Sequence, residues 1–124
     1  MLYKYKNDYA KIAMGLLSFI PDLKNFNNLQ IELQWYANNS NRALLLWKNK
    51  YGDFTGIIGL LVLDSSVLVR HIAVTPTERD GRLVYELLDA VAQLYPTKKV
   101  LGSLDIAALF TKWEKREYER TNNT

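Results

Sequence analysis

Large and charged residues alternate over Leu2-Tyr3-Lys4-Tyr5-Lys6, the period of two that predicts a first strand with one wet face, at a sheet edge. The next apolar run, Ile12-Ala13-Met14-Gly15-Leu16-Leu17-Ser18-Phe19-Ile20, predicts a helix from about Tyr9 to Ile20. Pro21 ends it, because proline has no amide hydrogen to give the helical ladder and restricts the residue before it. Phe26, Leu29, Leu33 and Tyr36 then recur at helical spacing, with Asp22 as the expected cap and Asn38-Asn39-Ser40-Asn41 as the stop.

From Arg42 the period shortens. Ala43-Leu44-Leu45-Leu46-Trp47 and the Gly56 to Leu63 run are separated by Tyr51-Gly52-Asp53 and read as a hairpin, and Asp64-Ser65-Ser66 turns the chain into a third strand ending at Val74. After Thr75 and Pro76, Leu83, Leu87, Val91 and Leu94 form one stripe of a helix from about Asp80 to Leu94. Lys98 to Leu104 predicts a strand, parallel to its predecessor by the right-handed crossover rule. Asp105 is placed to cap a last helix with Ile106, Leu109, Phe110 and Trp113 on its buried side. The order predicts an α+β domain: a mixed, mostly antiparallel sheet with helices on both faces.

Composition narrows the classes. At 124 residues the chain is expected to be a single domain, 1–124. With no cysteine there is no disulfide framework, thiolate metal site or cysteine nucleophile, and one histidine leaves no His-rich metal site. Gly56 to Leu63 is far short of the roughly 18 apolar residues of a membrane-crossing helix. Lys4 and Lys6 precede an apolar run, but Pro21-Asp22-Leu23-Lys24 follows it where a secretory signal would have small residues, so a buried helix and a cytoplasmic location are expected. The net charge of +3 comes without a basic stripe, so neither nucleic acid nor membrane is an expected partner. Trp47 and Trp113 fall on a strand and an apolar helix stripe, which assigns them to the core rather than to a flavin pocket.

Candidate chemistry concentrates at Ile72-Ala73-Val74-Thr75-Pro76-Thr77-Glu78-Arg79-Asp80-Gly81-Arg82-Leu83-Val84. A strand running through a tight turn into a helix leaves the first helical amides unpaired at the positive end of the macrodipole, a place for phosphate. Arg79 and Arg82 would add guanidinium groups; the same pattern also describes a solvated helix start.

Val74, Pro76 and Arg79, with Ala107-x-x-Phe110 in the last helix, make the chain resemble the GNAT superfamily of acyl-CoA-dependent N-acetyltransferases. Nearly the whole length, including Lys11 to Phe19, is similar to the small GNAT-like proteins encoded with bacterial riboflavin genes. The resemblance implies a parallel strand pair splayed at an acyl-CoA site, acetyl-CoA as co-substrate and a small-molecule amine as acceptor. It implies that Ile72, Ala73, Val74, Arg79, Asp80, Gly81, Arg82, Leu83 and Val84 hold the acyl donor. It also leaves open a catalytically weak module that binds acyl-CoA or regulates. Where the family has Gly-x-Gly, this chain has Arg82-Leu83-Val84, with its glycine displaced to Gly81. Strand alternation puts Leu68, Arg70, Ile72 and Val74 on one face and His71 on the other. Arg70 would then face the cleft and suit a carboxylate or phosphate on the substrate, or else pair with a neighbouring acid. His71 and Thr111, the latter standing where the family has a general-acid tyrosine, are the catalytic candidates, and His71 among Val69 and Ala73 also fits a packed, hydrogen-bonded histidine. The family usually adds two strands after the last helix, so an open sheet edge and a homodimer are expected.

Overall fold

Every strand pairs with its sequence neighbour, giving a five-stranded sheet in the order β1 (Leu2–Lys4), β2 (Arg42–Lys48), β3 (Phe54–Val62), β4 (Ser66–Val74) and β5 (Lys99–Gly102). The first three pairings are antiparallel and β4–β5 is parallel, so β1 lies at an edge and the crossover falls where the patterning put it. The coordinates are a computed structural model that describes residues 1–78 and 81–122, with the backbone alone at 117, 118 and 120–122.

Helices cover both faces. α1 (Ala10–Leu17) and α2 (Phe26–Ala37) bury Ala13, Leu16, Leu17 and Leu33 against Leu44, Leu46 and Ile57. α3 (Arg82–Leu94) and α4 (Ala107–Asn122) bury Leu87, Val91, Phe110 and Trp113 against Leu45, Ile58, Leu60, Val67 and Val69. Leu44, Leu45 and Leu46 alternate between the two cores, as the pleat requires. The indole N–H of Trp113 donates to Asp89 Oδ1 at 2.9 Å and ties α4 to α3.

Several boundaries differ from the patterning for local reasons. Asn25, rather than Asp22, caps α2: its Oδ1 accepts from the amides of Asn27 and Asn28, while Asp22 sits in a 3-10 turn at Pro21–Leu23. Asp105 likewise sits in a 3-10 turn, Leu104–Ile106, ahead of α4. Phe26 is 59% exposed and Leu94 53%, so both lie off their expected buried stripes, whereas Leu88 is fully buried.

β4 carries the irregularity that shapes the site. Val69 pairs with Leu60 and His71 with Gly59, leaving Arg70 as an extra residue, a β-bulge. The bulge reverses the alternation. Val67 and Val69 face the α3–α4 core before it; Ile72 and Val74 pack against that core after it, and Ala73 joins the α1–α2 core. Strict alternation had separated His71 from Arg70, and the bulge brings them to one side.

Candidate functional site

β5 is too short to follow β4 to its end. Their ladder covers Ser66–Val69, and the amide of Ser103 closes it by donating to the Val69 carbonyl at 3.0 Å. A Cβ at Gly102 would overlap the Phe110 ring, so the glycine lets α4 close down on the end of β5. Beyond this point the β5-facing main-chain groups of Arg70–Val74 have no strand partner. The opening is a cleft of about 480 Å³ lined by Arg70–Val74, by Phe19, Ile20, Pro21 and Asp22 between α1 and α2, and by Asp105 and Ile106. A larger cleft of about 610 Å³ beside Lys4, Lys6 and Arg42 does not involve β4, and α3 lines neither of the two.

The turn after β4 is tied by the Thr75 amide to the Thr55 carbonyl at 2.9 Å, by the Glu78 amide to the Thr75 carbonyl at 3.0 Å, and by a 2.7 Å contact between the Thr75 and Thr77 hydroxyls. Arg79 and Asp80 lie outside the described residues. Gly81 is the N-cap of α3, with φ +73° and no side-chain cap. That left-handed conformation favours glycine and turns the chain into the helix. Arg82, Leu83 and Val84 form the first turn, where helix geometry supplies the amides of Leu83 and Val84 no acceptor. Leu83 is 3% exposed and turns into the core, Val84 is half-buried and the Arg82 side chain is exposed. Leu83, Leu87, Leu88 and Val91 each contribute about 1.5–3 kcal/mol on burial, against the roughly 1 kcal/mol of a missing cap, so packing rather than capping holds α3.

On the α2 side of the cleft lies a polar cluster. His71 Nδ1 is 2.8 Å from the Tyr36 hydroxyl. Arg70 Nη1 donates to Glu32 Oε2 at 3.2 Å and to the Tyr36 hydroxyl at 3.4 Å, and its guanidinium stacks 3.9 Å from the Trp35 ring centre. Arg42 stacks on the same indole at 4.1 Å and donates to the Trp35 carbonyl at 3.0 Å. Burial depresses the His71 pKa below its ordinary value and Arg70 adds to this, while Glu32, Asp105 and Asp22 oppose it. Burial raises the Tyr36 pKa, which keeps the phenol protonated.

Arg70 and His71 thus both line the cleft, and Arg70 is paired with an acid. Ile72, Ala73 and Val74 form its β4 wall, whereas Gly81, Arg82, Leu83 and Val84 form the α3 start and are not among the cleft-lining residues. Thr111 is exposed, is not among the cleft-lining residues, and donates through Oγ1 to the Ala107 carbonyl at 3.1 Å. The patterning missed Glu32, Tyr36, Asp22 and Asp105. Glu32 and Tyr36 stand four apart, one above the other on α2, and that spacing of a carboxylate and a phenol was the available signal. Among the described residues no three acidic or histidine side chains gather to hold a metal, and no helix is long and apolar enough to cross a membrane.

No protein-family model matches the chain. An uncharacterized N-acetyltransferase in the lysA 3′ region of Bacillus methanolicus is 37% identical over 115 residues, 92% of this chain and 95% of that one. Among solved structures, an aminoglycoside antibiotic 6′-N-acetyltransferase from Acinetobacter baumannii superposes with a TM-score of 0.68 at 14% identity, covering 93% of this chain and 87% of its own. Another aminoglycoside N-acetyltransferase, solved in complex with CoA, gives a TM-score of 0.72 at 13% identity over 93% of this chain and 84% of its own. The sheet order, the parallel β4–β5 pair and the flanking helices are the fold these enzymes share. The chain belongs to the GNAT superfamily of N-acetyltransferases.

Proposed function

We propose that the protein transfers an acetyl group from acetyl-CoA to a small-molecule amine. The observation that carries this reading is the divergence of β4 from β5 after Val69, which frees main-chain groups of Arg70–Val74 at a cleft. The related enzymes named above, one of them bound to CoA, support the acyl donor and an amine acceptor. In the reaction the amine nitrogen bonds to the thioester carbonyl carbon, the carbon–sulfur bond breaks, and the proton lost by nitrogen finishes on the sulfur of CoA. Strand amides beside the cleft suit the charge that develops on the carbonyl oxygen, and confinement supplies alignment. The diphosphate of the donor would lie at the α3 start, where first-turn amides attract anions and Arg79 and Arg82 add charge. Gly81, in place of the family's Gly-x-Gly, supplies the turn without a Cβ.

Arg70 is read as a substrate-side residue whose charge is shared with Glu32. The reading extends to a role near flavin metabolism, supported by the sequence resemblance to small GNAT-like proteins encoded with riboflavin genes, and to a cytoplasmic homodimer, whose assembly light scattering checks. The second reading, a GNAT-like acyl-CoA-binding or regulatory module, is favoured by the bulky Arg82-Leu83-Val84 and by a Thr111 hydroxyl already bonded to its own helix. Steady thiol release from acetyl-CoA across a panel of primary amines separates the two: amine-dependent release supports the enzyme, and tight acetyl-CoA binding with no release from any amine supports the module.

A further inference from the structure

The cluster behind the cleft gives the two ring nitrogens of His71 different surroundings. The phenolic oxygen of Tyr36 has two polar neighbours, Arg70 Nη1 at 3.4 Å and His71 Nδ1 at 2.8 Å. A guanidinium can only donate, so it occupies one of the oxygen's two lone pairs, and of the hydroxyl's two polar neighbours only Nδ1 can accept the single phenolic hydrogen. Glu32 Oε2 does not compete for the ring, since 3.9 Å from Nδ1 is beyond hydrogen-bond length. The pairing that uses the phenolic hydrogen has Nδ1 as acceptor, and in it the neutral ring carries its hydrogen on Nε2. Nε2 has no hydrogen-bond partner among the described residues and is not one of the fully buried unpaired atoms, and His71 lines the cleft, so its N–H reaches that space.

The chain has been shaped to permit this contact. Gly59 pairs with His71 beside the bulge, and a Cβ there would overlap the Tyr36 hydroxyl. A glycine inside a strand weakens it, so its place needs a reason, and the slot for this hydroxyl is one. The bulge at Arg70 turns both polar side chains toward α2, and Trp35 holds the guanidinium from its ring face.

We propose that Tyr36 is a positioning residue that fixes neutral His71 in its Nε2–H form, making the imidazole a hydrogen-bond donor into the cleft for the thioester carbonyl oxygen of the acyl donor. The proposal rests on the transferase reading for its ligand. The thioester carbonyl oxygen has two lone pairs, so it can accept from the imidazole in addition to a strand amide. In this form His71 cannot take a proton at Nε2, and the carboxylates lining the same cleft are Asp22 and Asp105.

One histidine in the chain makes the test unambiguous: in the untagged, ¹⁵N-labelled protein every imidazole signal belongs to His71. Long-range ¹H–¹⁵N correlation at pH 8 is expected to show the hydrogen on Nε2, and Tyr36→Phe is expected to shift Nδ1 and lose that preference. Acetyl-CoA, unlike CoA, is expected to move the Nε2 proton. A hydrogen on Nδ1 in the wild type, or a tautomer preference unchanged in Tyr36→Phe, overturns the proposal. Acetyl-CoA binding with an unmoved imidazole overturns the donor role alone, and no binding at all overturns both that role and the transferase reading.

Discussion

Single residues in this site are constrained by shape as much as by charge. Gly59→Ala would push a methyl group into the Tyr36 hydroxyl, and overpacking of this kind costs about 1–3 kcal/mol. Urea unfolding should show a lower midpoint at an unchanged slope. His71 gives stability a pH dependence whose sign follows from its depressed pKa. The unfolded chain binds the proton more readily, so the contribution of His71 is complete above the unfolded value of about 6.5 and is lost as pH falls through the lower folded value. Unfolding free energies measured from pH 8 downward should therefore fall more steeply in the wild type than in His71→Gln, with the curves diverging below about pH 6.5. Equal slopes would mean that the imidazole is not kept neutral by its surroundings. The sequence disclosed Arg70 and His71 as candidates, but it could not bring them together, since a bulge adds one residue to a strand without leaving a mark in the hydrophobic pattern.

At the scale of elements, two glycines in helical contexts should behave in opposite ways. Gly15 lies within α1 with nothing within 4 Å of where a Cβ would be, so Gly15→Ala should raise stability by about 0.5–1 kcal/mol through helix propensity. Gly81 has equal space but φ +73°, so Gly81→Ala should lose about 1–2 kcal/mol and weaken acetyl-CoA affinity by disturbing the first turn of α3. Thermal unfolding of both variants, with an acetyl-CoA titration of the second, checks the contrast. The α2 docking is a further case: Trp35 lies between Arg42 and Arg70, and Trp35→Ala should cost about 2–4 kcal/mol from lost packing and two cation–π contacts. Strands were legible as short apolar runs bounded by turn residues, such as Ala43 to Trp47 ahead of Tyr51-Gly52-Asp53. The cap of α2 was not, since Asp22 and Asn25 are both good caps and only the 3-10 turn begun at Pro21 decides between them.

For the whole molecule, the order of elements was readable because hairpins and a parallel crossover have few topological solutions, and the motif around Val74, Pro76 and Ala107-x-x-Phe110 narrowed them to one superfamily. The cleft itself was not readable. It arises because β5 ends at Gly102 while β4 continues to Val74, and that inequality depends on how closely Phe110 can approach a glycine. Glu32 and Tyr36 of α2, remote in sequence from the motif, meet Arg70 and His71 behind the cleft wall. An acyl donor bound as proposed would lie between the diverging strands and the start of α3. Backbone amide shifts followed during an acetyl-CoA titration should then show saturable changes at Ile72–Val74 and Gly81–Val84; no change at millimolar acetyl-CoA, or changes confined to the cleft beside Lys4, Lys6 and Arg42, would overturn this placement.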